Sequence, residues 1–175
     1  MPSILSHPAV PLALGLALGP RVIPRRLLLA GVVASILPDL DVLAFRLGLP
    51  YAHDLGHRGA SHSLAVAALL GLVALALAPQ LHATRRTAGL FIAAAAASHG
   101  LLDMLTNGGM GVAWAWPFSS ERDFFALQVI EASPLSLRRF FSPAGAAVLV
   151  SELCWVWLPS ACLGLVVLLA RRWRA

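Results

Sequence analysis

Charged residues are scarce in this chain, and lysine is missing altogether. Only 12% of its 175 residues are charged, whereas 59% are hydrophobic and the mean hydropathy is +0.81. A soluble globular domain carries about a quarter charged residues. The composition therefore excludes an ordinary soluble domain and predicts an integral membrane protein with room for one domain.

The two cysteines and the positive charge each argue against a class of function. Cys154 and Cys162 lie in one apolar run, so we expect packing residues there rather than a disulfide or a cysteine metal site. The net charge is +5, and all thirteen basic residues are arginine. These arginines mark the ends of apolar runs and form no basic stripe, so we expect no nucleic-acid partner.

Five apolar segments can be read along the sequence, at about 8–19, 27–49, 64–81, 88–105 and 144–170. The third and fourth are close to the roughly 20 residues that span a bilayer core, and the last could span with tilt. The first is short and Pro38 breaks the second, which a membrane tolerates where a segment lines a cavity or lies against protein. The predicted fold class is all-α, an integral membrane helical bundle of about five apolar segments with the first two short or broken.

A single membrane-embedded domain is predicted over residues 1–175. Within it we expect a metal-site region at 1–125, an interfacial loop at 126–143 and a C-terminal transmembrane anchor at 144–175. The long stretch between the last two segments is rich in aromatic residues and arginines, which suit the headgroup layer of a membrane.

The arginine clusters orient the predicted bundle. They lie between segments one and two (Arg21, Arg25, Arg26), between segments three and four (Arg85, Arg86) and after segment five (Arg171, Arg172, Arg174). With five crossings these clusters share one side, which the positive-inside rule makes cytoplasmic. We therefore expect a multi-pass membrane protein. Nearly all acidic residues fall on the other side, and Glu152 inside segment five is the exception.

The same topology gathers ionisable residues from four segments on the extracytoplasmic side. They are His7, Asp39, Asp41, His57, His62, His99 and Asp103. Ionisable residues in a membrane are costly and tend to mark functional sites, so this convergence predicts a metal site. The alternative for any one pair is a structural hydrogen bond or a helix cap.

Local spacing supports individual members of this group. His99 and Asp103 are four apart on a predicted helix, so both side chains project from one face and can share an ion. Asp39 and Asp41 cannot both point the same way from a regular helix, and we favour Asp39 as the ligand, with Asp41 as a second ligand or a cap. Ser61 is the predicted N-cap of segment three.

At these residues the sequence resembles the YdjM-like family of predicted inner-membrane metal-dependent hydrolases. The resemblance is carried by His7, Leu37-Pro38-Asp39-Leu40-Asp41, His57-Arg58-Gly59-Ala60-Ser61-His62-Ser63 and Ser98-His99-Gly100-Leu101-Leu102-Asp103, followed by Thr106, Gly108-Gly109 and Pro117-Phe118. It covers roughly residues 1–125, and the last segment matches only as a hydrophobic anchor. The resemblance implies a metal-dependent hydrolase in the inner membrane.

The order of these motifs is similar, more distantly, to that of zinc-dependent phospholipase C and P1-type nucleases, helical enzymes that cleave phosphate esters with a metal cluster. By that likeness the ligand candidates are His7, Asp39, His57, His62, His99 and Asp103. Imidazole and carboxylate ligands suit zinc, and also manganese or iron. We expect one or two divalent ions, with zinc preferred, because no counterpart of that group's full ligand set is visible.

The leading hypothesis is a membrane-bound hydrolase of phosphoester bonds in a phospholipid or another envelope component at the outer face, with membrane lipids as partners. Asp41 or His57 is the candidate general base, and Arg58 the candidate phosphate ligand. A non-enzymatic metal-binding or transport protein is the alternative, although no inverted repeat supports transport. A serine hydrolase using Ser61 or Ser63 lacks a G-x-S-x-G elbow.

Overall fold

The computed structural model describes residues 1–134 and 136–173, and within these residues the fold is helical. The helices are α1 (Ala9–Leu18), α2 (Arg25–Ile36), α3 (Leu64–Ala76), α4 (Arg85–Met104), α5 (Leu137–Phe140), α6 (Pro143–Glu152) and α7 (Leu158–Trp173). Two 3-10 segments, Leu37–Leu47 and Ala60–His62, and one π-helical stretch, Leu153–Trp157, complete the secondary structure. The described residues contain no β-strand, only two isolated bridges. The all-α prediction is confirmed.

Three apolar stretches are long and apolar enough to cross a membrane: Arg25–Leu47, Arg85–Met104 and Pro143–Trp173. Ala9–Leu18 and Leu64–Ala76 are shorter apolar helices. Helix α3 ends at Ala76, before the predicted end near residue 81, because Pro79 disfavours helical geometry in the residue before it and has no N–H to donate. Each predicted segment nevertheless has its helix.

The second segment changes its winding at Leu37, where α2 gives way to the 3-10 segment. Because Pro38 has no N–H to donate, a regular α-helix could continue through it only with one backbone hydrogen bond missing. The tighter 3-10 winding has three residues per turn. It buries Asp39, while Asp41 stays half-buried, which separates the two carboxylates as the sequence predicts.

Small residues let the helices approach closely. Helix α3 packs on α4, α2 packs on α4, and α1 packs on α7. A Cβ atom at Gly71 would lie 2.8 Å from the Cβ of Ala93 and 2.9 Å from the carbonyl oxygen of Gly89, an approach typical of membrane helices. The outward faces carry exposed leucines and valines such as Leu72 and Val166, as a lipid-facing surface requires.

The arginine clusters lie together at one end of the bundle. Arg171 donates to the carbonyl oxygen of Ala17 at 2.7 Å, which joins the end of α7 to the end of α1. Arg26 donates to the carbonyl oxygen of Gln80 at 3.3 Å, which joins the start of α2 to the loop before α4. Arg174 lies outside the described residues. The clusters therefore share one end, as the predicted topology requires.

The N-cap of α3 is Ser63, not Ser61, so that prediction was wrong. The Ser63 hydroxyl accepts from the backbone N–H of Val66 at 3.2 Å. Ser61 lies in the 3-10 turn, and its hydroxyl donates to Asp41 instead. His62 therefore lies in the 3-10 turn that precedes α3, and its ring is buried inside the bundle.

Candidate metal centre

Four buried side chains meet at the end of the bundle opposite the arginine clusters: Asp39, His62, His99 and Asp103. The first comes from the 3-10 segment after α2, the second from the 3-10 turn before α3, and the other two from the last turns of α4. One ligand atom from each residue lies within 4.8 Å of the others. We refer to these four residues as the quartet.

The separations inside the quartet suit a small cation. His99 Nε2 lies 3.4 Å from Asp39 Oδ1, and His62 Nε2 lies 3.3 Å from Asp103 Oδ2. A tetrahedral ion bound at about 2.0–2.1 Å would hold its ligand atoms roughly 3.4 Å apart. The separation of His62 Nε2 from Asp39 Oδ1, at 3.9 Å, is somewhat wider. The quartet could hold a metal ion after small side-chain movements.

The hydrogen bonds behind the two quartet histidines fix their tautomers. His99 Nδ1 lies 2.7 Å from the carbonyl oxygen of Ser35, which can only accept, so Nδ1 carries the proton. His62 Nδ1 lies 3.0 Å from the Ser61 hydroxyl, which already donates its proton to Asp41, so this hydroxyl accepts and Nδ1 carries the proton. When the rings are neutral, both Nε2 atoms present lone pairs to each other at 2.9 Å. These lone pairs repel unless a cation or a proton lies between them.

A proton competes with a metal for this position. Burial lowers the pKa of His62, but the carboxylates of Asp103 and Asp41 outweigh that effect and raise the pKa to about 9. Without a metal, His62 is therefore an imidazolium at neutral pH and donates through Nε2 to His99. A metal that binds through this ring must release the proton.

Other buried polar atoms at this centre have no hydrogen-bond partner in the described part of the chain. They are both carboxylate oxygens of Asp39, both of Asp103 and both ring nitrogens of His7. An unpaired buried polar group costs free energy, and the cost is larger for a charged group, so native proteins satisfy such groups with an ion or water. Carboxylate oxygen and imidazole nitrogen are ligands of divalent metals. These residues fit a divalent metal.

His7 lies against the quartet from the chain segment before α1. Its ring is wholly buried and stacks on that of His99, with the ring centres 3.6 Å apart and the planes at 15°. Its Nε2 lies 3.7 Å from Asp39 Oδ2 and 3.9 Å from Asp103 Oδ1. Burial, and then the neighbouring His99, hold the pKa of His7 well below its usual value. His7 is thus neutral and close enough to serve as a further ligand.

Asp41 organises a second group beside the quartet. Its Oδ1 lies 2.5 Å from His57 Nδ1, and its Oδ2 accepts from the Ser61 hydroxyl at 2.5 Å and from the backbone N–H of Arg58 at 3.1 Å. The structure therefore places Asp41 and His57 with the outer nitrogen of His62, a group that could itself hold an ion. A carboxylate behind a ligand imidazole fixes its orientation and raises its basicity.

The guanidinium of Arg58 is wholly buried and already has internal partners. Its Nη1 donates to the carbonyl oxygen of Gly108 and its Nη2 to the hydroxyl of Thr106, both at 2.8 Å. Its Nε lies 3.0 Å from Asp103 Oδ2, in a direction too oblique for a hydrogen bond. Phosphate binding by Arg58 would require exchange of these bonds and stays a prediction. In this arrangement Arg58 is the counter-charge of Asp103.

Glu152 is a functional candidate that the sequence reasoning left without a role. Its side chain is buried and accepts from the hydroxyls of Ser3 and Ser6, each at 2.7 Å, and from the backbone N–H of Ser3. These bonds tie the segment that carries His7 to the end of α6. The sequence alone could have indicated a role for Glu152, because an acidic residue inside an apolar membrane segment is energetically costly and tends to be functional.

Replacing Glu152 with Gln should weaken metal binding about tenfold or more, although Glu152 faces serines rather than the metal. Loss of the negative charge weakens all three hydrogen bonds from Ser3 and Ser6 and loosens the segment that holds His7. Supporting residues of this kind typically contribute 10–100-fold to metal affinity. Competition with a metallochromic chelator would measure this change. Glu131→Gln, which alters an exposed acidic residue, is the matched control. Equal affinities in the two variants would show that Glu152 does not support the centre.

Comparison with known proteins indicates a family of inner membrane proteins. A family model described as YdjM inner membrane protein matches residues 1–174. The chain is also 46% identical over 160 residues to "Inner membrane protein YbcI" of Escherichia coli (strain K12), across 91% of this chain and 92% of that protein. No solved structure matches. The family match includes the last segment, which the sequence motifs had reached only as an anchor.

Proposed function

Because this chain belongs to the YdjM family of inner membrane proteins, and because its buried quartet could hold a metal ion, we propose that it is a membrane-bound metal-dependent hydrolase. The bond cleaved is a phosphoester in a phospholipid or another envelope component. The observation that carries the proposal is the pair of facing imidazole nitrogens, 2.9 Å apart, among carboxylates that have no hydrogen-bond partner in the described residues.

Distinct groups of side chains take distinct roles in this proposal. The quartet and His7 hold one or two divalent ions, with zinc preferred for its ligand chemistry. A divalent ion held there supplies a water of lowered pKa and a Lewis acid for the phosphoryl oxygen. His57 is the candidate general base, because Asp41 orients its ring at 2.5 Å and a base held by a third group is the usual catalytic arrangement. Asp41 serves as its positioning partner.

The proposed site faces the extracytoplasmic side. The arginine clusters mark the opposite end of the bundle, where Arg26 and Arg171 donate to nearby carbonyl oxygens. Arginine-rich ends stay in the cytoplasm. A substrate would therefore come from the outer leaflet or the space beyond it.

Replacing Asp39 with Ala should lower kcat/KM for phosphoester cleavage by at least roughly 100-fold, because loss of a metal-activated nucleophile and its proton transfer costs that much or more. The assay uses metal-loaded protein in detergent with bis(p-nitrophenyl) phosphate and with phosphatidylglycerol micelles. His82→Ala, at the arginine-rich end, is the control and should keep full activity. A metal-loaded wild type that cleaves neither compound would favour the alternative, a non-enzymatic metal-binding or transport protein.

A further inference from the structure

An apolar pocket of about 450 Å³ opens beside the metal centre. Its lining includes Ile4 and Leu5 of the segment before α1, Val42 of the 3-10 segment, and the pair Phe140 and Phe141. This volume lies within the roughly 300–1,000 Å³ of small-molecule pockets. Apart from Asp39, which belongs to the quartet, most of its lining is apolar.

Asp39 connects this pocket to the centre. It is the one charged side chain among the pocket walls in the described residues. Its Oδ1 lies 3.4 Å from His99 Nε2 on the quartet side. A molecule whose apolar part fills the pocket would therefore place its polar end against a proposed metal ligand.

The mouth of the pocket has the chemistry of a headgroup layer. Leu5 is 54% exposed and Phe141 is 83% exposed, so apolar surface continues outward from the pocket. Arg138 and Arg139 precede this aromatic pair and are both exposed. Aromatic rings with arginines suit the membrane interface, and arginines attract anionic headgroups. The mouth favours an amphipathic anion.

We propose that the pocket binds one acyl chain of an anionic glycerophospholipid and directs its phosphate toward the metal centre. That this lipid is the substrate rests on the proposed hydrolase function. Binding of its acyl chain can be tested without any turnover. The exposed mouth admits the lipid from the surrounding leaflet, and Asp39 belongs both to the lining of the pocket and to the quartet.

Photo-crosslinking of chelator-treated protein tests the binding step alone. The probe is phosphatidylglycerol with a diazirine on one acyl chain, and the labelled peptides are identified by mass spectrometry. We expect saturable labelling of the peptides that contain Leu5 and Phe141. Labelling of the outer face of α7, which contains exposed Leu163 and Val166, should not saturate.

Val42→Trp should lower pocket labelling by about tenfold or more, because the indole excludes several methylene groups of the chain. Leu43→Trp is the matched control, since this exposed neighbour lies outside the pocket walls. Leu5→Trp fills the pocket from the segment before α1, at an exposed position, and it provides the test if Val42→Trp does not fold. Each variant is also measured for bound metal, which should match the wild type.

Three outcomes would overturn this inference. They are labelling of the pocket no stronger than that of the α7 face, equal labelling in Val42→Trp and Leu43→Trp, and labelling by the phosphatidylcholine analogue as strong as by phosphatidylglycerol. Failure of hydrolysis with the pocket labelling intact would instead reject the hydrolase proposal and leave the lipid site standing. The two proposals therefore fail separately.

Discussion

Purified wild-type protein should contain roughly stoichiometric zinc, manganese or iron, and His99→Ala should contain almost none. His99 supplies Nε2 to the quartet, 3.4 Å from Asp39 Oδ1 and 2.9 Å from His62 Nε2. Its ring is held in place by a hydrogen bond from Nδ1 to the Ser35 carbonyl oxygen at 2.7 Å. Loss of a supporting residue costs 10–100-fold in metal affinity, and loss of a ligand should therefore cost more than about 100-fold. Inductively coupled plasma mass spectrometry of protein in detergent measures the metal content.

The control for His99→Ala is His82→Ala, which removes another imidazole at the arginine-rich end and should leave the metal content unchanged. Asp39→Ala should behave like His99→Ala, because both residues belong to the quartet. A folded wild type that binds no metal after reconstitution would mean that a proton alone separates the facing nitrogens. In that case the polar cluster is structural and the hydrolase proposal falls with it.

The broad architecture followed from hydropathy alone. A bilayer requires long apolar helices with charges at their ends, so the segments and the shared end of the arginine clusters could be predicted. The departures are local. Helix α3 ends at Ala76 and not near residue 81, and its cap is Ser63 and not Ser61. Serine at either position satisfies the capping rule, and only the tertiary contact of Ser61 with Asp41 distinguishes them.

The gathering of the quartet could be predicted because each member lies near the same end of its segment. Topology places such residues at one membrane face whatever the details of packing. Which of the candidate residues belong to the quartet and which pair with Asp41 beside it could not be predicted in full. His57 was a predicted ligand, and the structure places it against Asp41, 2.5 Å from Oδ1. That pairing depends on how the loop between residues 48 and 59 folds, for which the sequence offers no periodicity.

Glu152 illustrates the same limit at long range. The sequence marks it as unusual but does not name its partners, since Ser3 and Ser6 lie 149 and 146 residues away along the chain. A contact at that separation is decided by the packing of α1 against α7. Composition indicates that a buried carboxylate needs hydrogen bonds, and only the fold shows which groups provide them.

Replacing Arg58 with Met should destabilise the metal-free protein by about 3–5 kcal/mol, the usual cost of removing one partner from a buried ion pair. Arg58 is wholly buried, and its Nε lies 3.0 Å from Asp103 Oδ2. Removing the guanidinium leaves the Asp103 carboxylate with only the His62 imidazolium, 3.3 Å away, as a counter-charge, and it leaves Thr106 and Gly108 without their donors. Thermal unfolding in mild detergent, followed by circular dichroism, measures the change.

The loss should be smaller in the metal-loaded protein, because a cation in the quartet also neutralises Asp103 and binding to the folded state adds stability. Arg46→Met is the matched control: it removes an exposed arginine at the same end of the bundle and should change stability by less than about 0.5 kcal/mol. Arg58→Lys distinguishes the effect of the positive charge from that of the hydrogen-bond geometry. An ammonium group keeps the charge but lacks the planar set of donors of a guanidinium. If Arg58→Met were no less stable than Arg46→Met, the Arg58–Asp103 pair would have no structural role. A loss of the same size with and without metal would mean that no cation lies close enough to Asp103 to replace the guanidinium charge.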